Sequence, residues 1–200
     1  MQFRLHWAPT SPYVRKVMVA AHELGCAERL DLVPTRVETV MADVAGDNPL
    51  GRIPTLILPD GTALFDSLVI AEFLDDAAGG ALFPRSGPER WRTLTLHALA
   101  HGLIDAAIAI VAERRRPEGE RSPAFVAARH AEIGRAIDAL EQRSLGAEPD
   151  IGTITAAVAL GYVEFRFREL AWRTGRPKLA AWHAAFAQRD SMRATRPPAA

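Results

Sequence analysis

The chain changes its pattern near residue 80, and this change most strongly limits the folds open to it. Before that point, short apolar runs typical of strands alternate with stretches of helical periodicity. A segment rich in glycine and proline follows at residues 79–88, GGALFPRSGP, and beyond it only helical patterns are found. We therefore predict a domain over residues 1–78, a linker over 79–88 and a second domain over 89–200.

The first domain is predicted to be a small mixed sheet with helices packed on it. The strand patterns cover Gln2–Trp7, Leu30–Val33, Thr55–Leu58 and Ala63–Phe65, and the helical patterns cover Ser11–Gly25 and Ser67–Asp76. Glu38–Ala45 is either a weak helix or an irregular stretch. The resulting order is βαβαββα, in which the last two strands form a hairpin around Pro59-Asp60-Gly61-Thr62. An α/β domain is therefore expected.

The second domain is predicted to contain helices alone. They are expected over Glu89–Arg115, Ser122–Leu145, Thr153–Arg173 and Lys178–Arg189, with an irregular tail over residues 196–200. Thr153 is placed as the N-cap of the third helix, where Ala156 offers no reciprocal bond.

The composition excludes several classes of protein. The chain has 24 basic and 24 acidic residues, so its net charge favours neither nucleic acid nor an anionic membrane as a partner. The N-terminus lacks an apolar signal region, and no apolar run approaches the roughly 18 residues of a membrane span. A single cysteine, Cys26, excludes internal disulfides and a cysteine-based zinc site. We expect a cytoplasmic protein.

Two strand ends of the first domain carry features that suit a ligand. Ser11 precedes Pro12 at the start of the first helix. Ser11 is either a plain helix cap or part of an anion site at the helix N-terminus. Pro54 heads the third strand although proline has no N–H for a ladder. If the Ile53–Pro54 bond is cis, the backbone of Ile53 turns away from the sheet and is free to pair with an extended peptide-like ligand.

A third strand end carries Asp66 and Ser67, directly before the third helix. Both residue types are good helix caps, and capping alone explains them. The functional alternative is recognition of the α-amino acid end of a ligand, with Asp66 facing the ammonium group and Ser67 facing the carboxylate.

Taken in this order, the three stretches resemble the cytosolic glutathione transferase family. The resemblance is strongest in NPLGRIPTLIL at residues 48–58 and LFDSLVIAEFLDD at residues 64–76, and the segment from GYVEFR onward looks like a bacterial branch. It covers the whole chain. It implies a thioredoxin-like first domain, an all-helical second domain and a homodimer.

The resemblance also implies roles for residues of the first domain. Ser11 stands at the thiolate position, where it donates a hydrogen bond to the glutathione sulfur beside a helix N-terminus, and Thr10 remains an alternative for that contact. Both effects lower the pKa of a thiol from about 8.5. The residues implied to bind the peptide are Ile53 through its backbone, Pro54 as the cis-proline, Asp66 and Ser67 at the γ-glutamyl end, and Arg52, which either meets the glycine carboxylate or is a surface charge.

The implied activity is that of a detoxifying glutathione transferase, which conjugates the ionised thiol of glutathione to small hydrophobic electrophiles. Its second-substrate pocket is predicted to include Trp7, Tyr13, His101 and Asp105. His101 and Asp105 share a helix face with His97, but no cysteine or second cluster supports a metal there. Two alternatives remain open: a non-catalytic regulator with the transferase fold, and a glutathione-dependent peroxidase.

Overall fold

The computed structural model describes residues 2–36 and 39–198. The first elements are strands β1 (Phe3–Trp7), β2 (Leu30–Pro34), β3 (Thr55–Ile57) and β4 (Ala63–Leu64), with helices α1 (Pro12–Glu23), α2 (Val40–Val44) and α3 (Ser67–Ala78). Their order along the chain is βαβαββα, which confirms the predicted α/β fold. The helix predicted from residue 38 onward begins outside the described residues, and its described part is α2.

The four strands form one sheet in the order β2-β1-β3-β4. β1 runs parallel to β2 and antiparallel to β3, and β3 runs antiparallel to β4. Leu5 and Leu56 face each other across the central pair and are fully buried. Val17 of α1 and Ile70 of α3 complete this core, so both amphipathic helices cover the sheet with their apolar sides.

The rest of the chain is helical, as predicted. It forms α4 (Gly87–Arg114), α5 (Pro123–Glu141), α6 (Ile151–Arg166), α7 (Pro177–Phe186) and α8 (Asp190–Ala194). The chain divides into an N-terminal unit, residues 1–90 with residues 189–200, and a helical unit, residues 91–188. The domain limits given above stay a prediction.

α6 begins two residues earlier than predicted, and Thr153 is not its N-cap. Asp150 is the cap: its Oδ1 accepts a hydrogen bond from the Thr153 backbone N–H at 2.7 Å. The Thr153 hydroxyl in turn accepts from the Asp150 backbone N–H at 2.8 Å. The reciprocal capping box that the sequence analysis missed is therefore present, with a threonine at the position usually held by Glu or Gln.

α6 also ends earlier than predicted, at Arg166 instead of Arg173. Phe167 leaves the helical conformation and is buried, with the Arg114 guanidinium 4.9 Å above its ring and the His130 ring packed edge-on at 5.8 Å. Ala171 then adopts a left-handed conformation with φ 38°. No glycine or proline stands at Phe167 to mark this break in the sequence. We infer that the tertiary packing of Phe167 ends the helix.

α8 is a helix that the sequence analysis did not predict. It packs on α1 within the N-terminal unit, and both of its ends are held there. Arg189 donates two hydrogen bonds to the Glu23 carboxylate, at 2.7 and 2.9 Å, and Ser191 donates a third. Near the other end, the Arg15 guanidinium donates to the Met192 carbonyl at 3.2 Å. Five residues carry too little periodicity to reveal such a helix.

We predict that this attachment of α8 weakens in acid. Hydrogen bonding to Arg189 lowers the pKa of Glu23 below its ordinary value of 4.5. A lowered folded-state pKa gives stability that is present above the unfolded pKa and is lost as the pH falls through the folded one. Urea unfolding of Glu23→Gln should therefore show a loss of stability at pH 7 that is smaller at pH 3. Exposed Glu28 supplies the control, Glu28→Gln, and a loss of equal size at both pH values would contradict the prediction.

Asp75 closes the C-terminal end of α3 and orders the segment after it. Its buried carboxylate accepts hydrogen bonds from three successive backbone N–H groups, those of Ala81 and Leu82 at 2.7 Å and of Phe83 at 3.3 Å. Gly79 precedes them with φ 102°, a left-handed conformation that favours glycine. The segment predicted as a free linker is thus tied at its start to a helix.

We predict that Asp75→Ala lowers the free energy of unfolding by about 3 kcal/mol, because it leaves buried N–H groups without an acceptor. Asp76→Ala is the matched control, since that neighbouring side chain is exposed and its loss should change stability by about 0.5 kcal/mol or less. Denaturant unfolding measures both. Equal effects of the two substitutions would show that the Asp75 carboxylate has no special role.

Among the described residues, one helix has the length and composition of a membrane span, although no such segment was expected from the sequence. It is α4, and 44% of its most apolar window is buried inside the protein. Ile104 and Ile110 on this helix are fully buried. The core helix of a soluble protein passes the same test, so this helix is weak support for a membrane span.

Candidate functional site

The three stretches singled out in the sequence meet at one end of the sheet. Because β1 pairs antiparallel with β3, the carboxyl end of β1 lies beside Thr55, the first residue of β3. β4 is antiparallel to β3 as well, so its carboxyl end reaches the same edge. Ser11 follows β1, Ile53–Pro54 precedes β3, and Asp66 follows β4. The sheet topology therefore brings all three to one edge of the N-terminal unit.

Ser11 is the N-cap of α1. Its Oγ accepts a hydrogen bond from the Val14 backbone N–H at 3.3 Å, and its own backbone N–H donates to the Ala8 carbonyl. A hydroxyl that accepts one bond still has a proton to donate. Ser11 can therefore cap its helix and donate to a bound anion at the same time.

The peptide bond between Ile53 and Pro54 is cis, as the sequence analysis expected. Pairing of β3 with β1 begins only at Thr55, so Ile53 lies outside the ladder. Pro54 is buried and Ile53 is partly exposed. The backbone N–H and C=O of Ile53 therefore lie at the sheet edge, outside the β1–β3 ladder.

Asn48 holds the loop that carries Ile53, a role that the sequence analysis missed. Its side-chain amide donates to the Thr55 hydroxyl at 3.0 Å and to the Arg52 carbonyl at 3.2 Å, and its carbonyl oxygen accepts from the Leu50 N–H. Gly51 has φ 57°, and a Cβ there would lie 2.9 Å from the Met41 side chain. The asparagine-glycine pair in NPLG was the signal: both residue types favour tight, hydrogen-bonded loops.

His6 is a second buried polar residue near this edge that the sequence analysis missed. Its Nε2 lies 2.8 Å from an oxygen of Asp47, and its Nδ1 lies 3.4 Å from the Thr35 hydroxyl. Asp47 directly precedes Asn48, so the pair fixes the start of the loop to β1. A histidine next to Leu5, in a strand whose only other polar residue is Arg4, is the signal that pointed to it.

Asp66 is the N-cap of α3 and Ser67 is its first residue, and the two side chains differ in burial. Asp66 is exposed, and its Oδ1 accepts from the Leu68 N–H at 2.9 Å, which confirms it as a cap. The peptide bond between Phe65 and Asp66 is also cis. Ser67 is buried, and among the described residues its Oγ finds no hydrogen-bond partner. A buried hydroxyl without a partner costs free energy, so the site has an unused polar group.

The other predicted site residues lie in both units of the chain. Arg52 is exposed, and its carbonyl serves the loop as described. Trp7 and Tyr13 belong to the N-terminal unit, whereas His101 and Asp105 belong to the helical unit, where His101 Nε2 and Asp105 Oδ1 lie 3.6 Å apart. Their role in a second-substrate pocket stays a prediction. In the part of the chain that the structure describes, no group of three or more His, Cys, Asp or Glu residues could hold a metal ion.

Family models match both halves of the chain. The model for the glutathione S-transferase N-terminal domain matches residues 10–77, and the model for the C-terminal domain of the same family matches residues 123–185. A protein of Escherichia coli (strain K12), called "Uncharacterized GST-like protein YibF", is 33% identical over 198 residues, which cover 96% of each chain.

Solved structures of bacterial proteins are similar throughout. A glutathione transferase family member from Pseudomonas fluorescens Pf-5, with bound glutathione, is 42% identical with a TM-score of 0.95, covering 98% of this chain and 100% of that one. A glutathione S-transferase from Methylobacillus flagellatus KT, also with glutathione bound, is 36% identical with a TM-score of 0.87, covering 98% and 100%. The chain belongs to the glutathione S-transferase family.

Proposed function

We propose that the protein is a glutathione transferase that ionises glutathione at Ser11 and adds its sulfur to small hydrophobic electrophiles. The observation that carries the proposal is the buried Ser67 hydroxyl, which has no partner among the described residues, beside the exposed Asp66 at the start of α3. A carboxylate at this helix N-terminus would satisfy the hydroxyl, and the ammonium of the same amino acid would meet Asp66. The γ-glutamyl end of glutathione carries both groups.

The sheet edge supports the rest of the peptide in this proposal. Ile53 offers unpaired backbone groups to the cysteinyl residue, in the manner of an added strand. The sulfur then lies toward Ser11, whose hydroxyl proton and helix N-terminus both favour the thiolate. A serine needs an adjacent base to act as a nucleophile, and the Ser11 hydroxyl makes the hydrogen bond of a cap, so Ser11 is assigned to stabilise the sulfur.

Relatives support binding and the type of reaction. The proteins from Pseudomonas fluorescens Pf-5 and Methylobacillus flagellatus KT bind glutathione. The Pseudomonas protein has also been solved with S-(propanoic acid)-glutathione, a glutathione derivative substituted at sulfur. Such a thioether is the product type that conjugation of an electrophile at the sulfur would give.

A calorimetric titration with glutathione, followed by activity assays on the same preparation, tests the proposal. We expect saturable binding of glutathione and conjugation of 1-chloro-2,4-dinitrobenzene. Binding without conjugation would favour a regulator, and reduction of cumene hydroperoxide at a higher rate than conjugation would favour a peroxidase. Absence of binding at millimolar glutathione would overturn the proposal.

We also propose that the protein is a cytoplasmic homodimer. Acidic residues exceed basic ones by five in residues 1–78, and basic residues exceed acidic ones by five in residues 79–200, which suits a cross-contact between two copies. Met41 and Leu50 in the N-terminal unit are 71% and 58% exposed, and burying these apolar side chains against a second copy would favour association.

Light scattering is predicted to give about twice the chain mass of 21.8 kDa. Leu50→Glu should shift the mass toward one chain, because it places a charge on a surface that the proposal buries. Glutamate in place of Leu32, which is 37% exposed, provides the comparison. A stable monomer at micromolar concentration would contradict the dimer.

A further inference from the structure

The C-terminal end of α6 carries a polar cluster that is not part of the proposed glutathione site. Tyr162 is buried there, with 3% of its surface exposed. One turn later, the Arg166 guanidinium lies 4.3 Å above the Phe165 ring and 5.9 Å above the Tyr162 ring. All three side chains belong to the helical unit.

Among the described residues, Arg166 has no carboxylate partner, unlike Arg114 and Arg173 on either side of it. Arg114 pairs with Glu169 at 2.9 Å, and Arg173 pairs with Glu164 at 2.7 Å. In residues 2–36 and 39–198 no such partner is found for Arg166, although its side chain is partly buried and its Nε is buried without a hydrogen bond. Removing a cation from water without a counter-charge costs free energy, which a bound anion would offset.

A second positive charge acts on the same phenol. The charges of Arg166 and Arg115, and a hydrogen bond from Arg166, oppose the effect of burial on Tyr162, yet burial prevails and raises the pKa of that phenol. Tyr162 therefore keeps its proton at neutral pH. A protonated phenol has an O–H that can donate a hydrogen bond. Arg115 is exposed and, within the described residues, it has no carboxylate partner either.

We propose that Arg166 and Tyr162 form a binding site for the carboxylate of a small organic acid. A guanidinium presents parallel N–H donors that match a planar carboxylate, and the tyrosine O–H adds a third direction of donation. The rings of Phe165 and Tyr162 hold the Arg166 guanidinium in place and offer apolar surface for an organic body. The competing explanation is that Arg166 only stacks on these rings.

Benzoate and its neutral counterpart benzamide distinguish the two explanations in a calorimetric titration at constant ionic strength. We expect benzoate to bind and benzamide to bind at least tenfold more weakly. Arg166→Gln should weaken benzoate binding about tenfold or more, because it removes a charge-assisted hydrogen bond. Tyr162→Phe, which keeps the ring and loses only the hydroxyl, should weaken it less but measurably.

Arg168→Gln is the matched control, since Arg168 is an exposed arginine two residues further on. It should leave benzoate binding unchanged. Circular dichroism checks the fold of each variant. Glutathione affinity separates this site from the proposed function, because the residues proposed to bind glutathione lie in the N-terminal unit. Equal binding of benzoate and benzamide, or unchanged binding in Arg166→Gln, would overturn the proposal. A site that takes inorganic phosphate in preference to benzoate would overturn the carboxylate assignment.

Discussion

Replacing Ser11 with alanine is expected to raise the pKa of the thiol of bound glutathione by about one to two units. The substitution removes one hydrogen bond to a charged sulfur, which contributes roughly 1.5–3 kcal/mol, and each pKa unit corresponds to about 1.36 kcal/mol. Some stabilisation of the thiolate should remain, because the N-terminus of α1 survives the change. Ultraviolet absorbance of the thiolate against pH measures the shift directly.

The rate of conjugation by Ser11→Ala should fall by less than the fraction of glutathione present as thiolate. A thiolate of higher pKa is also a better nucleophile, with a Brønsted slope of about 0.4–0.5 for thiols. At a pH below both thiol pKa values, conjugation should therefore slow by about 3- to 16-fold, and above both pKa values the variant should match or exceed the wild type. This crossing in the pH–rate profile separates loss of thiolate stabilisation from general damage to the site.

The controls for Ser11→Ala concern the adjacent hydroxyl of Thr10. Thr10→Ala tests whether the adjacent hydroxyl makes the contact instead, and the double variant tests whether the two replace each other. Glutathione affinity should stay nearly constant in Ser11→Ala, because the proposal assigns peptide binding to Ile53, Asp66 and Ser67. Unmoved titration curves in all three variants would place the sulfur elsewhere, with Tyr13 and Trp7 as the next positions to test.

Asp66→Asn is expected to weaken glutathione binding by roughly 10- to 150-fold while the fold is retained. Asparagine is as good a cap as aspartate, so the bond from the Leu68 N–H survives. What disappears is the negative charge proposed to meet the ammonium group, and a charge-assisted hydrogen bond contributes roughly 1.5–3 kcal/mol. Calorimetric titration with glutathione measures the loss.

Asp60→Asn supplies a closely matched control for Asp66→Asn. Asp60 is also exposed and also accepts a hydrogen bond from the backbone N–H two residues ahead, that of Thr62 at 2.9 Å. It lies in the turn between β3 and β4, at the opposite end of that hairpin from Asp66. An equal loss of glutathione affinity in the two variants, or no loss in either, would assign Asp66 to capping alone.

Ser67→Ala separates function from stability within the same site. Because its hydroxyl is buried and has no partner among the described residues, removing it breaks no hydrogen bond seen in the protein. Stability should therefore stay constant or increase, while glutathione affinity falls. The two measurements should move in opposite directions, which a purely structural role for Ser67 would not produce.

The fold could be predicted from the sequence because its determinants are local. Alternation of strand and helix patterns up to residue 78, the turn at Pro59-Asp60-Gly61 and the capping residues Ser11 and Asp66 all act within a few positions. Pro54 at the head of β3 was informative for the same reason, since proline restricts its own backbone and that of its neighbour. The cis bond there was expected and is present.

The sequence by itself thus determined the order of the elements and the residues at the sheet edge proposed to bind glutathione, whereas the tertiary structure decided where helices end and which polar groups are satisfied. Phe167 ends α6 because Arg114 and His130 pack around it, and α8 exists because Glu23, far away in the chain, binds its N-terminal residues. Periodicity and capping follow from neighbours in sequence. The burial of one hydroxyl without a partner, or of one guanidinium without a carboxylate, depends on groups that meet only when the chain is folded.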